Sequence, residues 1–412
     1  MELPKTFRLR VGENQAVAGG NASLLAGAWR RFSLHELACM QGNRSLGGTR
    51  ARTRFEANRP MQRMSAPFEL PHVDVVITCH NYRAYVEDAI RSVLAQTYRG
   101  WNCIIVDDAS TDGSAEHVRQ LLQTIGDPRL RLLVRPQNGG QLASFRDGFA
   151  AGNEPFVAFL DADDVWLPNF LAAHLSAHLN AMHSASLSSS DVLLVDRDLV
   201  VLSGTYVALR KPRPQLDARG IAVPPARWLG ETAPEVAYSS EYPISYFGPE
   251  TYGWIWAPTS SMVFRRGALE PVLAFPFRSL VNTDYLAATC AHLVAGSLLL
   301  SEPLGLYRLH GSNVSTDSPY AGGHVQHSSA NKAKQIALGA DVLDYVVANA
   351  GHLDAINHGG FVSGFLAHHL RRFDSLIGDP RIVPLLDRKN RWRRRRKRVV
   401  PGLRRLFGRT AD

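Results

Sequence analysis

Asp74-Val-Val-Ile-Thr-Cys-His-Asn81, then an amphipathic stretch, then Asn102-Cys-Ile-Ile-Val-Asp-Asp-Ala-Ser-Thr-Asp-Gly113 is a strand, turn and helix that begin over again. The apolar, β-branched run 74–79 reads as a buried strand. Val86, Ala89, Ile90, Val93 and Leu94 recur at helical spacing, so the helix that follows lays one stripe on a sheet. Asn102–Asp107 reads as a second strand, Asp108–Gly113 as a turn and Ser114–Ile125 as a second helix. Arg131–Val134 continues as a third strand, an Asn138-Gly-Gly140 loop leads to a helix over Ala143–Ala151, and Pro155–Leu160 makes a fourth strand. This alternation predicts an α/β fold, Rossmann-like, with a mainly parallel sheet carrying helices on both faces. Ligands of such sheets lie beyond the carboxyl ends of the strands. Those ends carry Thr78 and His80, Asp107 and Asp108, and Asp161, Asp163 and Asp164.

Outward from this core the texture changes. Residues 1–70 are Arg-rich and irregular, with one predicted helix over Asn21–Cys39 and a linker-like stretch over Gly42–Arg54, and form an extension without an assigned role. After about residue 200 comes a Pro- and aromatic-rich stretch, Lys211–Pro258, too long for a plain connection and read as a binding insertion. A strand at Ser260–Phe264, a helix from Asp284 to Ala295 and the run Leu298–Arg308 restore order, and residues 330–387 read as mainly helical. The expected organisation is a catalytic domain over 71–320, with a donor half at about 74–200 and an acceptor half at about 201–320. A helical C-terminal region over 321–387 and an Arg-rich tail over 388–412 follow.

Composition excludes several classes. With 412 residues, 45% of them hydrophobic and 20% charged, the chain is neither a disordered tail nor a small stapled scaffold. Cys39, Cys79, Cys103 and Cys290 lie far apart with no CxxC pair, which argues against a zinc ribbon or disulfide framework and for reduced, buried thiols in a cytosolic protein. No apolar run approaches the roughly 18 residues a membrane span needs, and Met-Glu-Leu-Pro-Lys does not begin a signal peptide. The expectation is therefore a chain that neither spans a membrane nor is exported. The net charge of +9 belongs to the tail, because twelve of the 46 Lys and Arg residues lie between Arg388 and Arg409 and the rest of the chain is close to neutral.

The sharpest chemical feature is Asp161-Ala-Asp-Asp164 at the end of an apolar strand. Two carboxylates one residue apart on a turn can serve a divalent cation and a sugar hydroxyl, and hard cations such as Mg²⁺ or Mn²⁺ commonly bridge to substrate phosphates. Acidic residues also start turns and cap helices, so a DxD by itself is equally a structural device. Asp107-Asp108-Ala-Ser-Thr-Asp112 adds company: capping accounts for Asp112 but not for the two aspartates before it, and a carboxylate at a strand end can accept hydrogen bonds from a base edge.

Together, Val75–Asn81, the helix Ala89–Thr97, Ile105–Gly113, Asn138-Gly139 and Phe159–Trp166 resemble the GT-A glycosyltransferases of family 2, which use nucleotide-sugar donors and invert the anomeric centre. The resemblance is dense over about 74–200. It implies that Thr78, His80 and Asp108 line the nucleobase and ribose site, that Asp161 contacts the ribose or donor, and that Asp163 ligates Mn²⁺ or Mg²⁺. Thr259–Arg266 resembles the acceptor-side strand, and Thr283-Asp284 stands where many members have Glu-Asp, which makes Asp284 the candidate general base. Capping of the helix that begins there is compatible with the same residue. Tyr307-Arg-Leu-His310 resembles the element that closes many family domains, with His310 as a further metal ligand or a group that stabilises the leaving diphosphate.

The implied function is an inverting, hexosyltransferase-type transfer from a nucleotide-diphosphate sugar, a UDP-sugar by expectation, to a glycan or lipid-linked acceptor in bacterial surface polysaccharide or glycolipid synthesis. The tail Arg391-Trp-Arg-Arg-Arg-Arg-Lys-Arg398 with Val399, Val400, Leu403, Leu406 and Phe407 suits peripheral contact of residues 388–409 with an anionic membrane, on the cytoplasmic face. No specific nucleic acid is expected, although the same charges permit non-specific binding. Two other readings stand beside it: an inactive scaffold of the same fold, kept open by Thr283 and by His80 in place of the family's commoner Glu and Tyr, and a nucleic-acid- or membrane-binding protein driven by the basic tail. His174 and His178 lack the HExxH order and read as helix-surface residues, and Trp254 and Trp256 read as core or as a surface for an acceptor sugar.

Overall fold

The computed structural model describes residues 69–203, 244–279, 282–311, 313, 329–369 and 379–387. The helix and linker expected in residues 1–68, much of the 211–258 insertion and the whole basic tail lie outside the described residues. In chain order the first half runs β1 (Val73–Cys79), α1 (Val86–Leu94), β2 (Trp101–Asp107), α2 (Ser114–Ile125), β3 (Leu130–Val134), α3 (Gln141–Ala151) and β4 (Phe156–Asp161). Then come β5 (Val165–Trp166), α4 (Phe170–Asn180), β6 (Leu187–Val195), β7 (Val201–Ser203), β8 (Ile244–Phe247) and β9 (Met262–Arg265). The remainder is α5 (Arg266–Ala274), α6 (Thr283–Ala295), β10 (Ser297–Arg308), α7 (Ser329–Ala348), α8 (Ala350–Ile356) and α9 (Phe361–His369).

The strands form one sheet in the order β3-β2-β1-β4-β9-β6-β10-β5, with β7 on β6 and β8 on β10. Strands β3, β2, β1 and β4 are parallel throughout, β1 lying between β2 and β4. Beyond β4 the sheet is mixed: β9 runs antiparallel between β4 and β6, and β10 returns parallel to β6. Alternation along the strands divides the core in two. Val76, Ile104, Val106, Val157 and Phe159 face α3, α5 and α6, whereas Val75, Ile77, Ile105, Ala158 and Leu160 face α1 and α4. Phe145 of α3 stacks on Phe159, and Gly148 lets α3 sit on β1, since a Cβ there would overlap the side chain of Val76. The C-terminal helices join the first of these cores: Val342, Tyr345 and Val346 of α7 and Phe361 and Phe365 of α9 are buried with Leu286, Cys290 and Leu293 of α6.

Three details depart from the pattern in the sequence. The expected strand at Ser260–Phe264 begins with a 3-10 turn over Thr259–Ser261, because the Ser261 hydroxyl donates to the Pro258 carbonyl at 2.7 Å and bends the chain before β9. Strand β6 carries Ser188-Ser-Ser-Asp191 at full burial in mid-sheet, a polar run that no hydrophobic period marks. His174 and His178 are not on a helix surface; both are buried under the sheet. His174 Nδ1 lies 2.7 Å from Ser188 Oγ, and His178 Nε2 faces the Val263 carbonyl. Cys79, Cys103 and Cys290 are buried and unpaired, and among the described residues no helix is long and apolar enough to cross a membrane.

The buried imidazoles carry a pH prediction. Burial drives His174 well below its ordinary value and His178 down to about 3. Each is neutral when folded and takes up a proton when unfolded below its free pKa of about 6.5, so each favours the native state above that pH and loses its contribution as pH falls toward the folded value. In urea titrations between pH 4 and 6, His178→Gln is expected to lower the slope of stability against pH by about one proton's worth. An unchanged slope would show that His178 does not titrate on unfolding.

Candidate active site

Strand register assembles the donor edge. Thr78 pairs with Asp161 on one side and Val106 on the other, and Cys79 pairs with Asp107, so the candidate groups at the ends of β1, β2 and β4 share one rim. The Thr78 hydroxyl donates to Asp161 Oδ1 at 3.0 Å and the Gln141 amide donates to the same oxygen at 3.2 Å. The backbone N–H of Asp161 donates to Ser260 Oγ at 3.1 Å, which ties the acceptor-side turn to the end of β4. The Asp108 carboxylate is turned toward protein: it accepts from the Arg135 guanidinium and from the N–H groups of Gly139 at 2.9 Å and Gly140 at 2.8 Å. It therefore holds the Asn138-Gly-Gly loop, in which Gly140 takes φ +78°, a conformation that suits glycine. His80 Nδ1 meets the Asp108 carbonyl at 2.8 Å, and its exposed ring contacts the Asn138 amide.

The second cluster joins residues far apart in the chain. Asp163 Oδ2 and His310 Nε2 are 2.9 Å apart. The His310 ring stacks on Tyr85 with centroids 5.0 Å apart and meets the edge of Tyr82 at 5.7 Å. Asn313 closes the turn behind it, accepting from the His310 N–H at 2.9 Å and donating to the Arg308 carbonyl at 2.7 Å. Arg308 is itself buried: its N–H donates to Asp164 Oδ1 at 3.0 Å, its guanidinium pairs with Asp88 of α1 at 2.8 Å, and it lies over the Tyr85 ring. A cleft of about 420 Å³ shares Tyr85 and Arg308 with this assembly and is also lined by Asp88 and Arg197.

Crowded negative charge marks the junction. Burial and then neighbouring Asp163 push the Asp161 carboxyl up to about 7, with Asp284 adding to the rise against the Thr78 and Gln141 hydrogen bonds. Burial, Asp163 and Asp161 likewise raise Asp164, and burial followed by Asp163 raises the Tyr82 phenol. Asp284 thus lies near enough to the DxD to be felt by it, from the first turn of α6 on the acceptor side. Asn282 precedes that helix in the left-handed region at φ 55°. Thr283, standing where the family resemblance expects Glu, is wholly buried; a carboxylate there would be a buried charge needing its own partner.

The donor set suits a hard divalent cation. A carboxylate oxygen and an imidazole nitrogen 2.9 Å apart match neighbouring ligands of an octahedral ion bound at about 2.1 Å, and clustered carboxylates gain from a positive charge. Among the described residues no group of three or more His, Cys, Asp and Glu side chains forms a ready metal cage. That accords with ions of this kind, which keep waters and take substrate phosphates alongside one or two protein ligands.

Several residues of this site escape a reading of the motifs. Tyr82 follows Asn81 directly with Tyr85 three residues later, and Arg135 stands three residues before Asn138-Gly-Gly140, so proximity in the chain was the available signal. Gln141, Ser260 and Asn313 carry no local mark of their role.

A Rossmann-like half sheet with a DxD at its carboxyl edge and a mixed acceptor half is the GT-A architecture. Residues 74–214 match the family model "Glycosyl transferase family 2", and the chain carries a glycosyltransferase domain of that family. An uncharacterised glycosyltransferase of Nostoc sp. is 31% identical over 242 residues, 58% of this chain and 66% of that protein. TuaG of Bacillus subtilis, a putative teichuronic acid biosynthesis glycosyltransferase, is 35% identical over 105 residues, 26% of this chain and 41% of the relative. WfgD of Escherichia coli, named as a UDP-Glc:alpha-D-GlcNAc-diphosphoundecaprenol beta-1,3-glucosyltransferase, is 27% identical over 139 residues, 34% of this chain and 52% of the relative. The chain thus spans between two fifths and two thirds of these relatives' own lengths.

Proposed function

We propose that this protein is an inverting hexosyltransferase that moves a sugar from a nucleoside diphosphate, a UDP-sugar, to a hydroxyl of a glycan or lipid-linked acceptor in bacterial surface polysaccharide or glycolipid synthesis. The observation that carries this reading is the convergence of Asp161, Asp163 and His310 at the carboxyl edge of the sheet, and the charge of Asp284 in the first turn of α6, which adds to the rise of Asp161, supports it. The teichuronic acid biosynthesis named for TuaG and the diphosphoundecaprenol-linked acceptor named for WfgD support the acceptor class, and the UDP-Glc named for WfgD supports a UDP donor.

In this reading Thr78 orients Asp161 for the ribose, and His80 with Asn138 borders the base. Asp108 borders the base through the loop it holds. Asp163 and His310 would hold Mn²⁺ or Mg²⁺, which when bound neutralises charge on the departing diphosphate. Asp284 accepts the proton of the acceptor hydroxyl as its oxygen bonds to the anomeric carbon. The bond from that carbon to the diphosphate breaks on the opposite face, its electron pair leaving with the phosphate oxygen, and the centre inverts. Residues 71–320 form the catalytic domain, and residues 388–409 bring it to the inner face of an anionic membrane.

A thermal-shift panel of UDP, GDP, dTDP and CMP, each with and without Mn²⁺, tests the reading, because a ligand that binds only the folded state raises the melting temperature. The expected result is a shift for UDP that needs the metal. A folded protein that responds to none of the four would instead favour an inactive scaffold.

A further inference from the structure

The loop that delivers Asp284 is gripped from a part of the chain beyond the family match. Asp341 of α7 is 2% exposed, and its carboxylate reaches the connection between α5 and α6. Oδ2 accepts from the Ser279 N–H at 2.8 Å, and Oδ1 accepts from the N–H and Nε of Arg278, each at 3.3 Å. Asp344, one turn further along α7, pairs with the outer end of the Arg278 guanidinium and with Arg381 at 2.8 Å. Apolar contacts reinforce the grip, with Phe275 edge-on to Tyr345 at 5.3 Å and Phe277 stacked on it at 6.2 Å. From the other side Arg146 of α3 donates to the carbonyls of Leu273 at 2.7 Å and Phe275 at 2.6 Å. Asp284 follows Ser279 by only a few residues.

We propose that Asp341 is a positioning residue for the transfer reaction: by fixing the backbone at Arg278 and Ser279 it sets where Asp284 stands relative to the donor site, which makes α7 a working part of the catalytic apparatus. The inference rests on Asp284 being the base. A buried carboxylate is costly unless its oxygens are hydrogen-bonded, and here the donors are two main-chain N–H groups of one short segment together with the Nε of Arg278. Such bonds hold a backbone in place in a way that apolar packing alone does not. A base displaced by about 1 Å can cost up to a hundredfold in turnover. The hydrogen bonds of Asp341 go to Arg278 and Ser279, whereas Asp161 is held by Thr78 and Gln141, so loss of Asp341 is expected to act on the base before it acts on donor affinity.

The test compares wild type, Asp341→Asn, Asp341→Ala and Arg278→Ala in release of UDP from UDP-glucose and of GDP from GDP-mannose, with Mn²⁺ present and water as acceptor. For both Asp341 variants kcat is expected to fall about tenfold to a hundredfold. The donor KM should stay within about twofold and the Mn²⁺-dependent thermal shift with UDP should be unchanged. Asp341→Asn, which keeps one accepting oxygen, should retain more activity than Asp341→Ala, and Arg278→Ala, which keeps both backbone bonds, should stay near wild type. Folded Asp341 variants with wild-type kcat, or a loss that appears in donor KM and thermal shift instead, would overturn the proposal. Full turnover in Asp284→Asn would overturn the assignment of the base, and release of neither nucleotide by wild type would overturn the proposed transfer on which this inference rests. Loss in Asp284→Asn with normal Asp341 variants would fail the positioning role alone.

Discussion

Asp163→Asn is expected to remove Mn²⁺-dependent nucleotide binding and to lower turnover by about three orders of magnitude, the scale of several kcal/mol of charge stabilisation at a departing diphosphate. The geometry gives the reason. Asp163 is the carboxylate placed 2.9 Å from His310, and in the proposed reading this pair holds the cation. An amide oxygen keeps the shape but carries no charge and competes poorly for a hard cation. Folding should survive, because Asp163 is a source of the repulsion that raises Asp161 and Asp164. The metal-free variant is therefore expected to melt no lower than wild type, while the UDP and Mn²⁺ shift disappears. Persistence of that shift in Asp163→Asn would remove Asp163 from the metal site and leave the DxD as a turn-forming device.

The second large effect is expected at Asp284. Asp284→Asn should lower kcat by about 10²–10⁴, the range of a lost general base, with donor KM and thermal shift preserved. This split separates it from Asp163, whose loss acts on donor binding too. Asp284 lies in the first turn of α6, and its charge adds to the rise of Asp161 without taking part in the hydrogen bonds that hold Asp161 to Thr78 and Gln141. Removing the charge therefore leaves the donor edge standing. If Asp284→Asn turned over at the wild-type rate, the proton would have to go elsewhere and the helix-cap reading of Asp284 would suffice.

The C-terminal helices are part of the same question. They share a core with α6 and, through Asp341, touch the loop that leads to it. Truncation before α7 would expose Leu286, Cys290 and Leu293, so activity of a shortened chain reports on that burial as well as on catalysis.

Much of this protein was written locally. The runs Val75–Cys79, Cys103–Val106 and Phe156–Leu160 are apolar because both faces of a parallel strand are covered, and that made the strands, their helices and the carboxyl-edge aspartates readable within a residue or two. The place of the DxD at the carboxyl edge of the sheet followed from its position at the end of an apolar strand. Other features depended on contacts between distant segments. β6 hides a polar run in which Ser188 bonds to His174 and Ser189 to Ser261, partners the local pattern does not name. His174 and His178 look like surface residues on a helix whose faces are both apolar enough to bury. The 2.9 Å meeting of Asp163 with His310, the turning of Asp108 toward Arg135 and the Gly139-Gly140 backbone, and the hold of Asp341 on Ser279 were decided by tertiary structure alone. The physical reason is range: hydrophobic period and turn chemistry act over a few residues and are recorded there. The direction of a polar side chain is set by whichever distant donor or acceptor the folded sheet brings within about 3 Å.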